Sequence, residues 1–351
     1  MSSDQIGQLL AVRWEETRWG GVLERLLKRY QPAGVLLPLR RGDSVESMAA
    51  MLGCITGALS VPPFLWLDAE RTIDRLSEPL PSPRAAAQAG PSAVERLADL
   101  IGQGLQLLGF NSYGGPTLDL VAPGIEGPFT DRAFSGNPET TAQCAATFLQ
   151  QLDRHHILAC PGSFPGLADS TGLRPDQPIV VDKPMATLWR DDLRPYREAL
   201  SRLRMIRISF ASYKAFDYEP PKPAPLSERV LEGLLRVRLG YRGAAVATLY
   251  TSGLGGQRLT PGQAAVRSIN SGCDLLIVNG DTELAQAFSA LEAGVKSGAL
   301  SDDRVEQALS RVSRAKEGLA LPTGKLSASE WDPFVNACEQ FSSELRGGAQ
   351  G

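Results

Sequence analysis

Short apolar runs alternate with longer amphipathic stretches along most of this chain, and that alternation limits its fold more than any other feature. Each apolar run has the length of a buried strand, and each longer stretch has the spacing of a helix with one apolar face. The strand runs are residues 34–39, 64–68, 110–120, 157–160, 205–212, 244–249 and 274–278. The helical stretches are residues 22–30, 45–59, 93–108, 138–154, 189–203, 227–239, 261–271, 282–297 and 302–319. Because strand and helix alternate at least six times, we predict an α/β fold with parallel strands.

Two architectures satisfy this alternation, because right-handed crossovers either close a barrel or build an open doubly wound sheet. No G-x-G-x-x-G motif follows the first strand run, which weakens the interpretation as a dinucleotide-binding fold. The 351 residues suit one TIM-type (β/α)8 barrel of about 250 residues with insertions. Residues 78–92 are rich in Pro, Ala and Ser and predict a long loop. We assign residues 1–322 to the barrel, for which an incomplete or distorted form stays open, and residues 323–351 to a C-terminal tail with a flexible glycine-rich end.

Charge and cysteine content exclude several kinds of partner. The chain has 36 Lys and Arg against 39 Asp and Glu, without a basic block, so nucleic-acid binding is not expected. The first residues lack a basic start and a long apolar core, so neither a signal peptide nor a membrane-spanning helix is predicted. Five scattered cysteines without C-x-x-C pairs argue against disulfides and a zinc site. We expect buried thiols, no cofactor or metal, no membrane contact and a cytoplasmic location.

Eight short motifs, spread in order over residues 5–320, are similar to the motifs of one enzyme family. Residues 206–217 align without gaps with V-M-V-S-H-I-V-Y-P-A-L-D, and residues 131–138 are similar to E-R-S-F-G-x-D-P. The other matches are residues 6–10, 30–37 (similar to the family's first strand), 67–70, 109–119, 239–243 and 271–276. The chain therefore resembles glycoside hydrolase family 3, in particular its single-barrel β-N-acetylhexosaminidase branch. This resemblance selects the TIM-type barrel over the open sheet.

The nucleophile that the resemblance implies is missing from the sequence. Family members act by a retaining mechanism, in which a carboxylate attacks the sugar and an acid/base group protonates the leaving oxygen. The nucleophile belongs to an S-D-D sequence at the carboxyl end of a strand. Here Ala247, Thr248 and Leu249 stand in its place. A threonine hydroxyl is not ionised near neutral pH, and the sequence has no base next to it.

The acid/base group of this branch is also missing. It is a histidine that an aspartate holds on a mobile loop, within the motif K-H-F-P-G-H-G-D-T. In the matching stretch the acidic end of the loop is Asp169, Ser170 and Thr171, and the altered positions are Gly162, Ser163 and Leu167. Phe210 replaces the histidine of the V-S-H motif. The two histidines of the chain, His155 and His156, precede a strand and are expected at the opposite end of the barrel.

Polar residues that could still hold a ligand lie near the predicted carboxyl ends of the strands. They are Asp68, Glu70, Asp119, Arg132 and Asp169. In the family, the positions that match Asp68 and Arg132 help to hold the sugar, and carboxylates and arginine suit hydrogen bonds to vicinal hydroxyls. The alternative is that Asp68, Glu70 and Arg132 form ion pairs that keep the barrel mouth in shape. Two of the carboxylates, such as Asp68 with Asp169 or Glu70 with Asp119, could instead form a new catalytic pair.

Aromatic residues also lie at or near the predicted strand ends. They are Trp14, Trp66, Tyr113, Phe129, Phe210, Tyr213 and Tyr250. Aromatic faces stack on sugar rings, but they also fill an unused cavity. The replacement of histidines by Leu167 and Phe210 favours filling.

Three functions remain open on the sequence alone. The first, which we predict, is a pseudoenzyme that binds a glycan, an amino sugar or a protein partner. The second is an active β-glycosidase that uses relocated carboxylates such as Asp68, Glu70 or Asp169. The third is a structural interaction module with a closed pocket and an exposed apolar patch. The fold does not decide among them.

Overall fold

Eight parallel strands form the centre of the fold in the computed structural model, which describes residues 3–39, 44–67, 80–121, 130–167, 179–220, 222–249, 259–322, 324–326 and 328–348. Two further strands pair with each other outside this sheet. In chain order the ten strands are β1 Leu10–Arg13, β2 Gly34–Leu37, β3 Phe64–Leu67, β4 Ser112–Tyr113, β5 Leu158–Ala159, β6 Val180–Val181, β7 Met205–Arg207, β8 Ser212–Tyr213, β9 Ala244–Thr248 and β10 Leu275–Asn279. The large sheet has the order β5-β4-β3-β2-β1-β10-β9-β7, and β6 pairs with β8.

The two outermost strands of the large sheet, β5 and β7, approach each other and nearly close it into a barrel. The backbone N–H of Phe164, just beyond β5, donates to the carbonyl of Arg207 at 2.9 Å. The N–H of Ser209 donates to the carbonyl of Phe164 at 2.8 Å. The predicted TIM-type barrel is therefore confirmed.

Helices surround the barrel and connect successive strands. They are Ser3–Gly7, Gly21–Tyr30, Val45–Ala58, Pro83–Ala89, Pro91–Leu108, Pro138–Arg154, Met185–Arg190, Arg194–Ala199, the π-helix Arg229–Arg238, Pro261–Ser271, Gly280–Ser297, Asp302–Lys316 and Ala328–Gly348. Short 3-10 turns lie at Leu200–Arg202 and Ala224–Leu226. Strong local signals set several of these boundaries. For example, Thr260 and Gln263 form a capping box at the start of Pro261–Ser271.

Alternate residues of the strands face the inside of the barrel and fill it. The inner cluster contains Ala11, Leu36, Phe64, Trp66, Leu158, Met205, Ala244, Val246, Leu275 and Ile277. Since successive strand residues point to opposite faces, the residue two positions further on each strand also points inward. At the carboxyl ends these positions are Arg13, Arg207, Thr248 and Asn279. The sequence alternation thus places polar side chains above an apolar barrel interior.

Two strand predictions need correction. The first barrel strand is not the run at residues 30–37, because β1 precedes it and lies between β2 and β10. β1 is only four residues long and ends on a charged residue, so its apolar run is weak. The predicted strand 205–212 is interrupted after Arg207, where the Ser209 hydroxyl accepts the N–H of Ala211 at 3.1 Å. Ser212 and Tyr213 then join the small sheet with β6.

Two helix predictions also need correction. The loop expected at residues 78–92 contains the helix Pro83–Ala89, whose start is capped by the Ser82 hydroxyl. Proline at a first helical position loses no hydrogen bond, so a Pro-rich composition does not exclude a helix there. The helix expected at residues 189–203 is split into Met185–Arg190 and Arg194–Ala199. Pro195 cannot donate the backbone hydrogen bond that a continuous helix would require at this position.

The C-terminal segment contains a helix that the sequence did not predict. Ala328–Gly348 includes Pro333, which disfavours a helix interior. Phe334 and Cys338 are buried, and Phe334 covers Gly104 of the helix Pro91–Leu108. A Cβ atom on Gly104 would lie 2.6 Å from the Phe334 ring, so glycine permits this close packing. The boundary between barrel and tail at residue 322 stays a prediction.

The cysteines are free thiols of mixed exposure. Cys160, Cys273 and Cys338 are buried, as predicted, but Cys144 is partly accessible and Cys54 is exposed. In the part of the chain that the structure describes, no helix has both the length and the apolar character needed to cross a membrane.

Candidate functional site

Four inward side chains, one of them Thr248 at the predicted nucleophile position, lie at the carboxyl ends of four adjacent barrel strands. Thr248 ends β9 and is 6 % exposed, so the sequence placed it correctly at the barrel mouth. On one side lies β7, which ends with Arg207. On the other side lies β10, which ends with Asn279, and beyond it β1, which ends with Arg13. These described neighbours of Thr248 offer two guanidinium groups and an amide, but no base that could deprotonate its hydroxyl.

Arg13 and Asn279 form part of a polar chain across the mouth. Nη1 of Arg13 donates to Oδ1 of Asn279 at 3.2 Å, and Nδ2 of Asn279 donates to Oε2 of Glu283 at 3.0 Å. Arg13 is 6 % exposed, so its charge is buried at the end of β1. The Glu283 carboxylate is therefore held by Asn279, on the first turn of the helix Gly280–Ser297.

Asp119 holds the stretch that corresponds to the family's acid/base loop. Its Oδ1 accepts the backbone N–H of Leu167 at 2.7 Å, and its Oδ2 accepts the N–H of Ser163 at 3.3 Å. Burial raises the pKa of Asp119 to about 6, while these hydrogen bonds and the charge of Arg207 lower it in part. Asp119 was predicted to bind substrate, but both of its oxygens contact the loop backbone.

Further contacts fix the first part of this loop, residues 162–167. The hydroxyl of Tyr213 donates to the carbonyl of Gly166 at 2.8 Å. The Phe164 ring meets the edge of Tyr196 at a centroid distance of 5.3 Å. Gly166 has φ 124°, which favours glycine, and a Cβ atom there would lie 2.7 Å from the Cβ of Asp192. Residues 162–167 are thus held by contacts with several other parts of the chain.

Arg207 occupies the space beside Gly162. A Cβ atom on Gly162 would lie 2.9 Å from both Cβ and Nε of Arg207, so a side chain fits at Gly162 only if Arg207 moves. Gly162 matches the lysine of the K-H-F-P-G motif. In this chain a positively charged side chain, that of Arg207 on β7, lies next to Gly162.

Arg132 approaches the same region from the turn that follows residue 130. It is half-buried, and Ala133 next to it bridges to Thr117 in the segment that leads to Asp119. Burial raises the pKa of Tyr113 well above its usual range, and the charges of Arg132 and Arg207 both act to lower it. The structure therefore brings two of the predicted residues, Asp119 and Arg132, to the same side of the mouth as Arg207.

Several predicted site residues lie outside the described residues. They are Asp68, Glu70, Asp169, Ser170, Thr171 and the aromatic residues Phe129 and Tyr250. Of the altered positions, Leu167 is buried and Phe210 is half-buried. Trp14, Trp66, Tyr113 and Tyr213 are each at most 7 % exposed, and their role in filling an unused cavity stays a prediction.

The histidines are found where the sequence predicts them. His155 caps the helix Pro138–Arg154, before β5 and away from the mouth. Its Nε2 lies 2.8 Å from Oδ1 of Asp99, and its Nδ1 lies 3.3 Å from Oε1 of Gln106. Across the described ranges, no group of three His, Cys, Asp or Glu side chains could hold a metal ion.

Sequence reasoning missed Arg13, Arg207 and Asn279. The signal that could have found them is the alternation of side chains along each strand, counted from the apolar residues that fill the barrel. For β1 this required a strand that the sequence did not reveal. For β7 it required the true end of the strand at Arg207.

Comparison with known proteins gives a consistent result. The profile described as "Glycosyl hydrolase family 3 N terminal domain" matches residues 1–315. A beta-N-acetylglucosaminidase/beta-glucosidase from Cellulomonas fimi is 25 % identical over 337 residues, which is 92 % of this chain and 58 % of that protein. The chain thus spans less than two thirds of that relative. A beta-hexosaminidase from Thioalkalivibrio sulfidiphilus is 29 % identical over 88 % of both chains.

A similar fold occurs among solved structures. The structure of a glycoside hydrolase family 3 beta-N-acetylglucosaminidase from Paenibacillus sp. str. FPU-7 superimposes with a TM-score of 0.84 at 23 % identity. The match covers 97 % of this chain and 69 % of the Paenibacillus chain. At this identity the likeness concerns the fold, which is the same barrel.

Proposed function

Because this chain belongs to glycosyl hydrolase family 3, we propose that it is a family member which has lost hydrolysis and binds an amino sugar or a related glycan at its barrel mouth. The observation that carries this proposal is Thr248, buried at the end of β9 between Arg207 and Asn279. A glycosyl-enzyme requires a nucleophile whose lone pair attacks the anomeric carbon while an acid protonates the leaving oxygen. Thr248 has no described base beside it to remove its proton.

The loop supports the same proposal. Its family histidines are replaced by Ser163 and Leu167, and the backbone N–H groups of both residues are bonded to Asp119. Neither side chain can act as a general acid at neutral pH, a contribution that is typically worth about 10²–10⁴ in rate. Without the carboxylate nucleophile and the histidine acid/base group, neither the attack on the sugar nor the protonation of the leaving oxygen has its family residue.

Binding is supported by the polar groups that remain. Arg207 supplies a positive charge beside Gly162, where the family motif has lysine, and Arg132 approaches from the neighbouring turn. Guanidinium groups donate pairs of parallel hydrogen bonds, which suit the hydroxyl and N-acetyl oxygens of a sugar. The name of the Thioalkalivibrio sulfidiphilus relative, a beta-hexosaminidase, suggests an amino sugar as the first ligand to test.

A second candidate, hydrolysis by relocated carboxylates, is favoured by one observation. Burial raises the pKa of Asp119 to about 6, close to the value that suits a general acid near neutral pH. Against this candidate, Asp119 is 8 % exposed and accepts two backbone hydrogen bonds.

The third candidate, an interaction module, requires a continuous apolar patch on the surface. The large apolar side chains that are exposed among the described residues come from separate elements: Val22, Val61, Val180, Tyr218, Val237 and Leu321.

The test is turnover of 4-methylumbelliferyl N-acetyl-β-glucosaminide at high protein concentration, with N-acetylglucosamine binding measured in parallel by NMR. We expect saturable binding and no turnover above the buffer rate. The variants Asp68→Ala, Glu70→Ala, Asp119→Asn and Asp169→Ala should leave this background unchanged. Turnover that disappears in one of them would show that catalysis uses relocated carboxylates. Absence of both turnover and binding would refute the proposal and favour a protein partner. A cytoplasmic location remains part of the proposal.

A further inference from the structure

Two arginines stack on one tryptophan at the surface of the protein, outside the barrel. Cζ of Arg238 lies 4.1 Å from the centre of the Trp189 ring, and Cζ of Arg197 lies 4.6 Å from it. Trp189 is half-buried on the helix Met185–Arg190, and both arginines are exposed. We call this group the arginine clamp.

The acidic residues around the arginine clamp are already paired with other bases. The pairs are Asp182 with Lys214, Asp191 with Arg190, Asp192 with Lys183, and Glu198 with Arg194. Arg197 and Arg238 form no ion pair with any described residue. Two positive charges are therefore held near one ring, and neither arginine has an ion-pair partner in the described chain.

This arrangement suits anions on an extended ligand. Stacking on an aromatic ring orders a guanidinium group while its N–H edges stay available for bidentate hydrogen bonds to carboxylate. The two Cζ atoms are at most about 9 Å apart, because both lie within 4.6 Å of the same ring centre. Mutual repulsion of the two charges is relieved when anions bind. Ordering before binding also lowers the entropy lost on association.

The Arg238 side of the arginine clamp lies towards the amino-terminal end of the barrel. Arg238 ends the π-helix Arg229–Arg238, which returns the chain to the start of β9 at Ala244. This end of the helix is therefore near the amino-terminal side of the barrel. Two more exposed arginines, Arg202 and Arg242, precede the paired strands β7 and β9 and extend the positive surface.

We propose that the arginine clamp is a second binding site, which holds carboxylate groups of an acidic polysaccharide. The choice of a glycan rests on the proposed function, whereas the anion site rests on the clamp geometry. A nucleic acid fits less well. Both arginines lie over the Trp189 ring, where they would compete with a nucleic-acid base for stacking.

The experiment measures polygalacturonate binding by titration calorimetry at low salt, with neutral dextran as the uncharged comparison. We expect saturable binding of polygalacturonate only. Arg197→Ala and Arg238→Ala should each weaken it about fivefold, and the double variant about thirtyfold, because each removes a charge-assisted contact. Arg190→Ala is the matched control, since Arg190 is already paired with Asp191, and it should bind like the wild type.

Four results would overturn the proposal: no polygalacturonate binding, equal binding of dextran, wild-type affinity in the double variant, or tighter binding of a thymidine oligonucleotide. A Thr248→Trp variant separates the two sites, because it fills the barrel mouth and leaves the clamp intact. Polygalacturonate binding that persists in this variant supports the clamp whether or not N-acetylglucosamine binds at the mouth. Loss of polygalacturonate binding in this variant would place that ligand at the mouth and refute a second site.

Discussion

At the scale of single residues, Asp119 shows how burial changes the role of a carboxylate. The sequence places it at a strand end, which suggests a ligand for the sugar. In the structure its two oxygens accept the backbone N–H groups of Ser163 and Leu167, so it anchors a loop instead. A buried acceptor of this kind is costly to replace, because its donors would lose their partner.

Asp119 should also make stability depend on pH. Its pKa in the folded protein is about 6, above the ordinary value of 3.8, so the folded state binds the proton more tightly. This contribution is fully present below pH 3.8 and is lost as pH rises through about 6. We expect Asp119→Asn to lower the free energy of unfolding by about 1–3 kcal/mol. The difference from wild type should narrow as pH rises from 4 to 6.

Urea denaturation at several pH values measures this effect, with the exposed Asp131→Asn as control. A constant difference between wild type and Asp119→Asn across this range would show that the Asp119 carboxyl does not titrate differently in the folded state.

At the scale of elements, the sequence predicted most helices but did not reveal how some of them pack. The helix Asp302–Lys316 was expected, with an end three residues further on. The structure adds that Nζ of Lys316, on its last turn, donates to Oε1 of Gln8 at 2.7 Å and lies 5.2 Å from the centre of the Phe64 ring. From the sequence, Lys316 would be taken for a charged residue at a helix end. In the structure it lies largely buried against the amino-terminal end of the barrel.

Lys316 should destabilise the fold near neutral pH. Burial lowers its pKa from 10.5 to about 7, so the unfolded chain binds the proton more tightly. Stability should rise with pH between about 7 and 10.5, since the folded state loses this proton first. We expect Lys316→Met to be more stable than wild type at pH 7, by about 1–4 kcal/mol. This advantage should shrink toward pH 10.

Thermal unfolding at pH 7, 8.5 and 10 would measure the difference in stability between Lys316→Met and the wild type. The matched control is Lys296→Met, because Lys296 is exposed and paired with Glu292 one turn earlier on the same helix, Gly280–Ser297. If Lys316→Met is no more stable than Lys296→Met at pH 7, then the ammonium of Lys316 is well solvated or compensated in the folded protein.

At the scale of the whole molecule, one buried carboxylate connects elements that are distant in sequence. Asp274, before β10, is fully buried and forms ion pairs with Arg236, Arg304 and Arg311. Its Oδ2 also accepts the N–H of Ala245 on β9 at 2.9 Å. It thereby joins the π-helix, two barrel strands and the helix Asp302–Lys316 at the end of the barrel opposite the mouth.

Removal of this charge should destabilise the entire barrel. Asp274→Asn leaves three largely buried guanidinium groups without their carboxylate. We expect a loss of about 3–5 kcal/mol of unfolding free energy. Guanidinium chloride denaturation measures this loss of stability. The control is Asp302→Asn, at an exposed position on the helix Asp302–Lys316. A loss below about 1 kcal/mol would mean that water replaces the carboxylate without much cost.

The sequence by itself determined the α/β barrel and the position of Thr248 at a strand end. The alternation of strands and helices and the end of a strand near Thr248 follow from local patterns, because the length and spacing of apolar residues fix a strand or a helix without reference to distant parts of the chain. The choice of a closed barrel over an open sheet came from the resemblance to the family. The tertiary structure decided that β1 lies between β2 and β10, that Phe164 bonds Arg207 where the barrel closes, and that Arg207 fills the space beside Gly162. These features depend on side chains from separate strands meeting in a packed interior, and no local pattern records that meeting. The same holds for the pKa of Asp119, which burial sets only after the loop has folded over it.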